Sequence, residues 1–534
     1  MSEIGFPVQF YLTPNMMRKQ SLLILLSLFC LGIQAQRTDV VATMADGSAV
    51  EGTAVDFKKN TYEFFVYPSL DMACVKFRDR SGNKLRNDGS IQILRMSDGK
   101  RIWKKDYDFD VNQTRMVEAG ILMFSSEENT LLLDIEKGKQ VWKKRYYPVY
   151  VDEPNQQLLC YQDIDDDDLV CIDLRTGKKR WDTDVDHDVC WGWDDITRTG
   201  NYLYVMADDL YRLQLDNGGT KRYKAKTATK DFTKSVLKSV GSLAKRALLL
   251  TVSTALTRGL YHYKSDIHIY TSSDVTTSLA SNILSHNGMH YIADRNKVAC
   301  IDADFNPKWE TDLPARKASH SQLFERDGSI WMLNDGYGMK ENKGKVKSGK
   351  PFLASFDAST GQQQSFMYLT AKKDIIEDSY ITSDGVFLVF DNGTAFQQLT
   401  DSVVNIREWN VSRKEELVNI LKEPRYVISN GSFQPVMATE ELCPVINEKD
   451  DVFVINRQNE VVAQYDVACL FREYTRYDDA LVVGNGEKFY VIGQDGRMIS
   501  QLTAKVRDVK IEGGVLYILT SDGMQHVAMS AFGV

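Results

Sequence analysis

The chain has 534 residues, 43% of them hydrophobic and 26% charged, with a formal net charge of −8. That is the balance of an ordinary globular protein, and it argues against nucleic acid as the main partner, because phosphate binding asks for a basic face. Tyr and Phe are plentiful and Pro is scarce, with 25, 23 and 11 residues, as suits many short strands.

In chain order, residues 1–35 read as a leader. Residues 1–15 carry no pattern and look like an over-extended start. Met17-Arg-Lys-Gln20 is basic, Ser21 to Gly32 is apolar, and Ala35 offers a small residue for cleavage, although Ile33 makes the site imperfect. This is the order of a secretory signal, too short to span a bilayer, so the expected location is periplasmic or secreted. Phe29 stands before Cys30 where a lipobox wants a small residue, so a lipoprotein is not expected. The remainder, 36–534, reads as a single domain. Gln36 to Lys58 begins it with a strand, a Met-Ala-Asp-Gly-Ser turn and a second strand.

A repeat follows. Asp173-Leu-Arg-Thr-Gly177-Lys-Lys-Arg-Trp181 is a turn at Thr-Gly between two strands, the second led by a large aromatic. Trp142 and Trp103 precede Trp181 by steps of thirty-nine, with Gly138 and Gly99 each four residues before them. Leu215-Asp-Asn-Gly-Gly219-Thr-Lys-Arg-Tyr223 continues the series with Tyr. Further on, Asp302 leads to Trp309 and Asp401 to Trp409. A period near forty with four short strands per period is the mark of a β-propeller. One such blade cannot bury its own faces, so blades pack in a ring. Trp103, Trp142, Trp181, Tyr223, Trp309 and Trp409 are therefore expected to fill the seams between blades.

Three stretches depart from the repeat. Residues 224–274 include a run, 233–256, in which Val236, Leu237, Val240, Leu243 and Ala244 fall at helical spacing. Two readings stand: a helix packed on the propeller, or a basic amphipathic helix touching a membrane surface or a partner. Residues 334–350 form a Gly- and Lys-rich hairpin excursion. Residues 412–424 read as a short helix between a Ser412 cap and Pro424. At the C-terminus, Val515 to Leu519 and Gln525 to Met529 look like an unfinished blade that the N-terminal strand could complete.

Few residues suggest chemistry. Asp163, Asp165 and Asp167 alternate as Ca²⁺ ligands do, but Asp168 and Leu174 stand where an EF-hand wants Gly and Glu, which favours a solvated turn. Trp191, Trp193, Asp194 and Asp195 lie off the repeat register. They read either as a rim for a partner or a sugar, or as one strand face closing the core. None of the seven His has ligand spacing, and no nucleophile elbow or phosphate loop is found. Seven cysteines follow the leader without a CxxC pair and read as small buried hydrophobes.

The Asp-x-x-Thr-Gly-Lys-x-x-Trp form of 173–181 resembles the repeat of the PQQ-binding-like β-propellers, which include quinoprotein alcohol dehydrogenases and BamB-type assembly lipoproteins. The resemblance implies an all-β propeller of four-stranded blades, most often eight, with more if the six anchors above, the units ending near Phe366, Tyr465 and Gln501, and the unfinished C-terminal one are each a blade. It also implies a structural role for the repeat Trp. The dehydrogenases share an adjacent Cys-Cys pair and a Glu, Asn and Asp Ca²⁺ set; this chain has no adjacent cysteines, so no cofactor and no catalytic residue is carried across. The expected function is an exported, non-catalytic scaffold that binds a protein partner in the envelope. The alternatives are a quinone- or metal-dependent oxidoreductase and a carbohydrate-binding propeller using Trp191 and Trp193.

Overall fold

The computed structural model describes residues 37–57, 60–82, 84–125, 129–162, 167–187, 193–230, 275–314, 318–340, 343–390, 393–399, 440–446, 452–465, 472–478, 480–484, 488–493 and 498–534. Among them the strands form six four-stranded sheets, two three-stranded sheets, one nine-stranded sheet and two small hairpin-like pairs. The large sheets are all antiparallel, and the fold is an all-β propeller. Its blades, numbered 1 to 10 here, span 61–108, 112–144, 147–184, 195–223, 284–312, 321–368, 376–398, 442–465, 472–502 and 506–528. The described residues thus give ten blades. This matches the number of anchors counted in the sequence and exceeds the eight of the commonest ring.

Within a blade the strands differ in how they are covered. The second and third strands are apolar almost without a break, as in Gln157–Tyr161, where every residue is buried. Neighbouring blades cover both of their faces, so alternation is lost. The fourth strand keeps polar residues outward: in Lys179–Asp184 only Trp181 is buried. Buried apolar clusters run across the seams from blade 9 to 10, 10 to 1, and onward to blade 7. Blades 7 and 8 meet through Arg457 and Asp384, 2.8 Å apart.

The ends of the chain are joined at the outer edge. Ala49–Asp56 pairs with Gly523–Ala528 and completes blade 10, with Thr53 opposite His526. Arg37–Met44 pairs with that strand and also with Met498–Leu502, the last strand of blade 9. One continuous sheet of nine strands results. Two open edges, each a row of unpaired backbone groups, are thereby covered.

The excursion in blade 6 is a hairpin, Tyr337–Lys340 and Gly344–Lys347, set between strands Ser329–Asn334 and Phe352–Asp357. The leader, residues 231–274 of the expected helical insertion, and 412–424 lie outside the described residues. Cys74, Cys160, Cys171 and Cys300 are free and buried, as small hydrophobes would be, and Cys443 is buried too.

Candidate functional site

The repeat residues build the seams. Trp103 donates its indole N–H to the Ile135 carbonyl at 2.6 Å, Trp142 to Leu174 at 2.9 Å, Trp181 to Leu215 at 3.1 Å and Trp309 to Ala358 at 3.0 Å. Each acceptor is in the third-to-fourth-strand turn of the next blade. The indole also lies flat on the glycine of that turn. A Cβ on Gly177 would sit 2.8 Å from Trp142, and one on Gly218 would sit 2.6 Å from Trp181. Both glycines have positive φ, 67° and 75°, which other residues adopt only at a cost. Asp173 fixes its turn by accepting from the Thr176 amide at 2.8 Å and from Arg180 at 2.6 Å.

Three details differ from the sequence expectation. In blade 4 the turn glycine is Gly218, whose amide donates to Gln214, so the unit is shifted by one residue. Strand pairing sets Lys221 opposite Arg212, as Trp181 is set opposite Cys171. Tyr223 therefore lies two residues beyond the Trp position, buried and bonded to Glu310. Arg212 takes the Ala303 carbonyl that an indole would take, and Lys221 donates to Asp304 at 2.6 Å. The glycine that seats Trp309 is Gly361, in Asp357-Ala-Ser-Thr-Gly361, a turn with the full signature but with Ser365 at its own Trp position. Trp409 lies outside the described residues.

Asp163, Asp165 and Trp191 also lie outside them. Asp167 is a turn residue whose carboxylate accepts the His187 amide at 3.1 Å. Among the described residues no group of three or more His, Cys, Asp or Glu could hold a metal ion. Trp193 is 2% exposed and donates to the Tyr161 hydroxyl at 2.9 Å. That removes it from any exposed aromatic platform, because its face and its N–H are both engaged. Asp194 and Asp195, beside it, open onto a cavity of about 530 Å³.

This cavity is the candidate site. It lies where the first strands of blades 4, 6 and 7 converge with the lead-in to blade 5, and the blade 6 hairpin forms one wall. Backbone bonds root that hairpin: His320 donates to the Tyr337 carbonyl, Asp335 to His320, and Ile376 to Asp335. A two-way bridge between Thr277 and Met339 ties it to the lead-in of blade 5. The buried Asn334 amide donates to Ser321 Oγ at 3.0 Å and fixes the strand start below it.

The lining is acidic. Asp194, Asp195, Asp335, Glu377 and Asp378 face it, against Lys345 and His320. Lys345 is engaged by the Glu377 carboxylate at 3.1 Å and lies over the Tyr337 ring. His320 Nδ1 is 2.7 Å from Asp335 Oδ2, and its ring stacks on Tyr337 at 4.6 Å. Ile283 donates its amide to Asp195 at 2.6 Å, and Ser278 its hydroxyl to Asp194 at 3.2 Å. Two oxygens, Asp194 Oδ2 and Asp335 Oδ1, are buried and accept nothing. Burial pushes the Asp194 carboxyl up to about 6; Ser278 and His320 oppose this, and Asp195 and Asp208 add to it. Burial and the surrounding carboxylates raise Tyr337 as well.

His320 and Asp335 form a pair without a nucleophile: among the described residues no hydroxyl hydrogen-bonds the His320 ring. The pair, stacked on Tyr337, forms part of the cavity wall. Of these residues the sequence singled out Asp194, Asp195 and the 334–350 excursion, but not Asp335, Glu377 or the role of His320.

The class that the fold defines is the β-propeller of four-stranded antiparallel blades. Residues 87–182 match the family model described as outer membrane protein assembly factor BamB. No curated protein matches the chain. Similar solved structures include BamB from Moraxella catarrhalis, at 13% identity over 78% of this chain and 95% of that one, with a TM-score of 0.31. The computationally designed Ika8 protein is 10% identical over 84% and 98%, with a TM-score of 0.31. The quinohemoprotein alcohol dehydrogenase ADHIIG from Pseudomonas putida HK5 is 11% identical over 86% and 77%, with a TM-score of 0.32. None of the three bears on what this chain does.

Proposed function

We propose that the chain is an exported, non-catalytic propeller scaffold that docks a protein partner in the cell envelope. The observation that carries this reading is the acidic cavity, with two buried carboxylate oxygens left free in a ring whose other motif residues hold blade to blade. The BamB-type repeats of 87–182 and the leader-like order of residues 17–35 support it. The ring supplies rigidity, and the hairpin of blade 6 and the blade 5 lead-in supply the shape that is read.

Two measurements test it. A photo-crosslinking residue at Met339 or Ser379, on the cavity wall, should give a discrete protein adduct in intact cells. The same residue at Lys104, on an outer strand, should not. Adducts at neither wall position, or equally at all three, would end the docking reading. For export, N-terminal sequencing should find the chain starting at Gln36 outside the cytoplasm. An uncut chain kept in the cytoplasm would remove that part.

A further inference from the structure

We infer that the cavity at the convergence of blades 4 to 7 is a receptor for a cationic nitrogen group, an ammonium or guanidinium, held by Asp194 and Asp335. This deepens the docking proposal by naming the chemistry of the docked group.

Geometry carries the inference. Asp335 is 3% exposed, and one of its oxygens takes the His320 ring N–H. Its other oxygen, Oδ1, is buried without a donor, as is Asp194 Oδ2. The two residues come from different blades and line one space. A buried carboxylate oxygen without a donor is costly, and protein interiors rarely leave one so. A group that brings several N–H donors and a positive charge would satisfy both oxygens at once. Among the described residues the wall does not supply it: Lys345 is engaged with both the carboxylate and the backbone carbonyl of Glu377.

The surroundings select among ligands. Asp195, Glu377 and Asp378 add negative potential, which attracts cations into a cleft and repels anions. A bare metal ion is poorly matched, since among the described residues no three ligating side chains converge. The space, about 530 Å³, is far larger than one ammonium, so the charged head arrives on a larger body. That body is either a free amine or guanidine of amino-acid size or an Arg or Lys side chain on a polypeptide. The chemistry at the carboxylates is the same for both.

The test is calorimetric titration of the purified chain, residues 36–534, with L-arginine amide and, separately, with acetyl-Gly-Arg-Gly-amide. Saturable binding of either is expected, with acetate giving none. Asp335→Asn and Asp194→Asn should each weaken binding tenfold or more, while Asp182→Asn on an exposed outer strand leaves it unchanged. Binding of the amide alone would assign a small molecule, and binding of the peptide alone a polypeptide side chain; each supports the inference. A competition on the unaltered chain keeps the test independent of how the variants fold. Guanidinium should displace the probe, and tetramethylammonium, which has no N–H, should not. No saturable binding of either probe, equal binding by all variants, or equal displacement by both cations would overturn it. Wall crosslinks without probe binding would leave docking standing and sink this inference; probe binding without crosslinks would do the reverse.

Discussion

Two neighbouring seams show what the repeat is for. Between blades 3 and 4, the indole of Trp181 lies on Gly218 and donates to the Leu215 carbonyl. Between blades 4 and 5, Phe305 occupies the glycine position of the turn at a φ of 69°, and no flat seat is left. There Arg212 lies 4.6 Å over the Tyr202 ring, takes the equivalent carbonyl, and is joined by Lys221. The carbonyl is the constant; what reaches it depends on whether the turn leaves room for an indole. Glycine and tryptophan are thus one unit written across two blades, and losing the first removes the reason for the second.

The largest break should come from the indole. Trp181→Ala, or Trp142→Ala, should cost about 3–5 kcal/mol, the range for emptying a buried aromatic site. Urea unfolding followed by circular dichroism would check it, and a loss below about 1 kcal/mol would mean that the seam does not depend on the ring. Gly218→Ala should cost roughly 2 kcal/mol, because an alanine would carry positive φ and its Cβ would meet Trp181.

The second seam should be the one that feels acid. His290 is buried against Tyr204, and burial together with the Arg212 charge pushes it down to about 4 from 6.5. The folded chain keeps this ring neutral while the unfolded chain protonates it. Stability is therefore full above about pH 6.5 and falls as the pH drops toward 4. At pH 5 the loss should be about 1–2 kcal/mol, and His290→Phe should flatten that part of the profile. An unchanged urea midpoint in the parent chain between pH 7 and pH 5 would refute it. The smallest effect belongs to Lys221→Met, about 0.5–1 kcal/mol for one lost hydrogen bond. If it matched Trp181→Ala, the two seams would be equivalent after all.

The seams were legible because their code is local. Gly and Trp stand at a fixed spacing within nine residues, and the docking carbonyl is always in the next unit. The turn at Asp357 to Gly361 is not marked by the Trp register, because Ser365 stands at its Trp position, although its glycine still seats Trp309. Blade 4 was read one residue out because two adjacent glycines were available, and only the Gln214 carbonyl chooses between them. The cavity was not legible. Asp194, Ser278, His320, Asp335 and Glu377 are far apart in the chain and meet only where the first strands of blades 4, 6 and 7 converge with the lead-in to blade 5. Asp194 could be flagged from composition, but not that its Oδ2 would be left without a donor. The sequence left Trp193 between rim and core for the same reason: its partner, Tyr161, is in another blade.

The hairpin 37–56, which sews blade 9 to blade 10, ties the order of synthesis to the order of folding. The earliest residues of the described chain wait for the latest, since Thr53 finds its place only against His526. The chain entropy lost in bringing such distant ends together grows only as roughly (3/2)RT ln n, so the wait is tolerable. Until it ends, a ribosome-bound chain carries an unfinished rim at its own leading end. Any nascent or clipped product that stops short of Gly523 leaves the strand Ala49–Asp56 without the partner that completes blade 10.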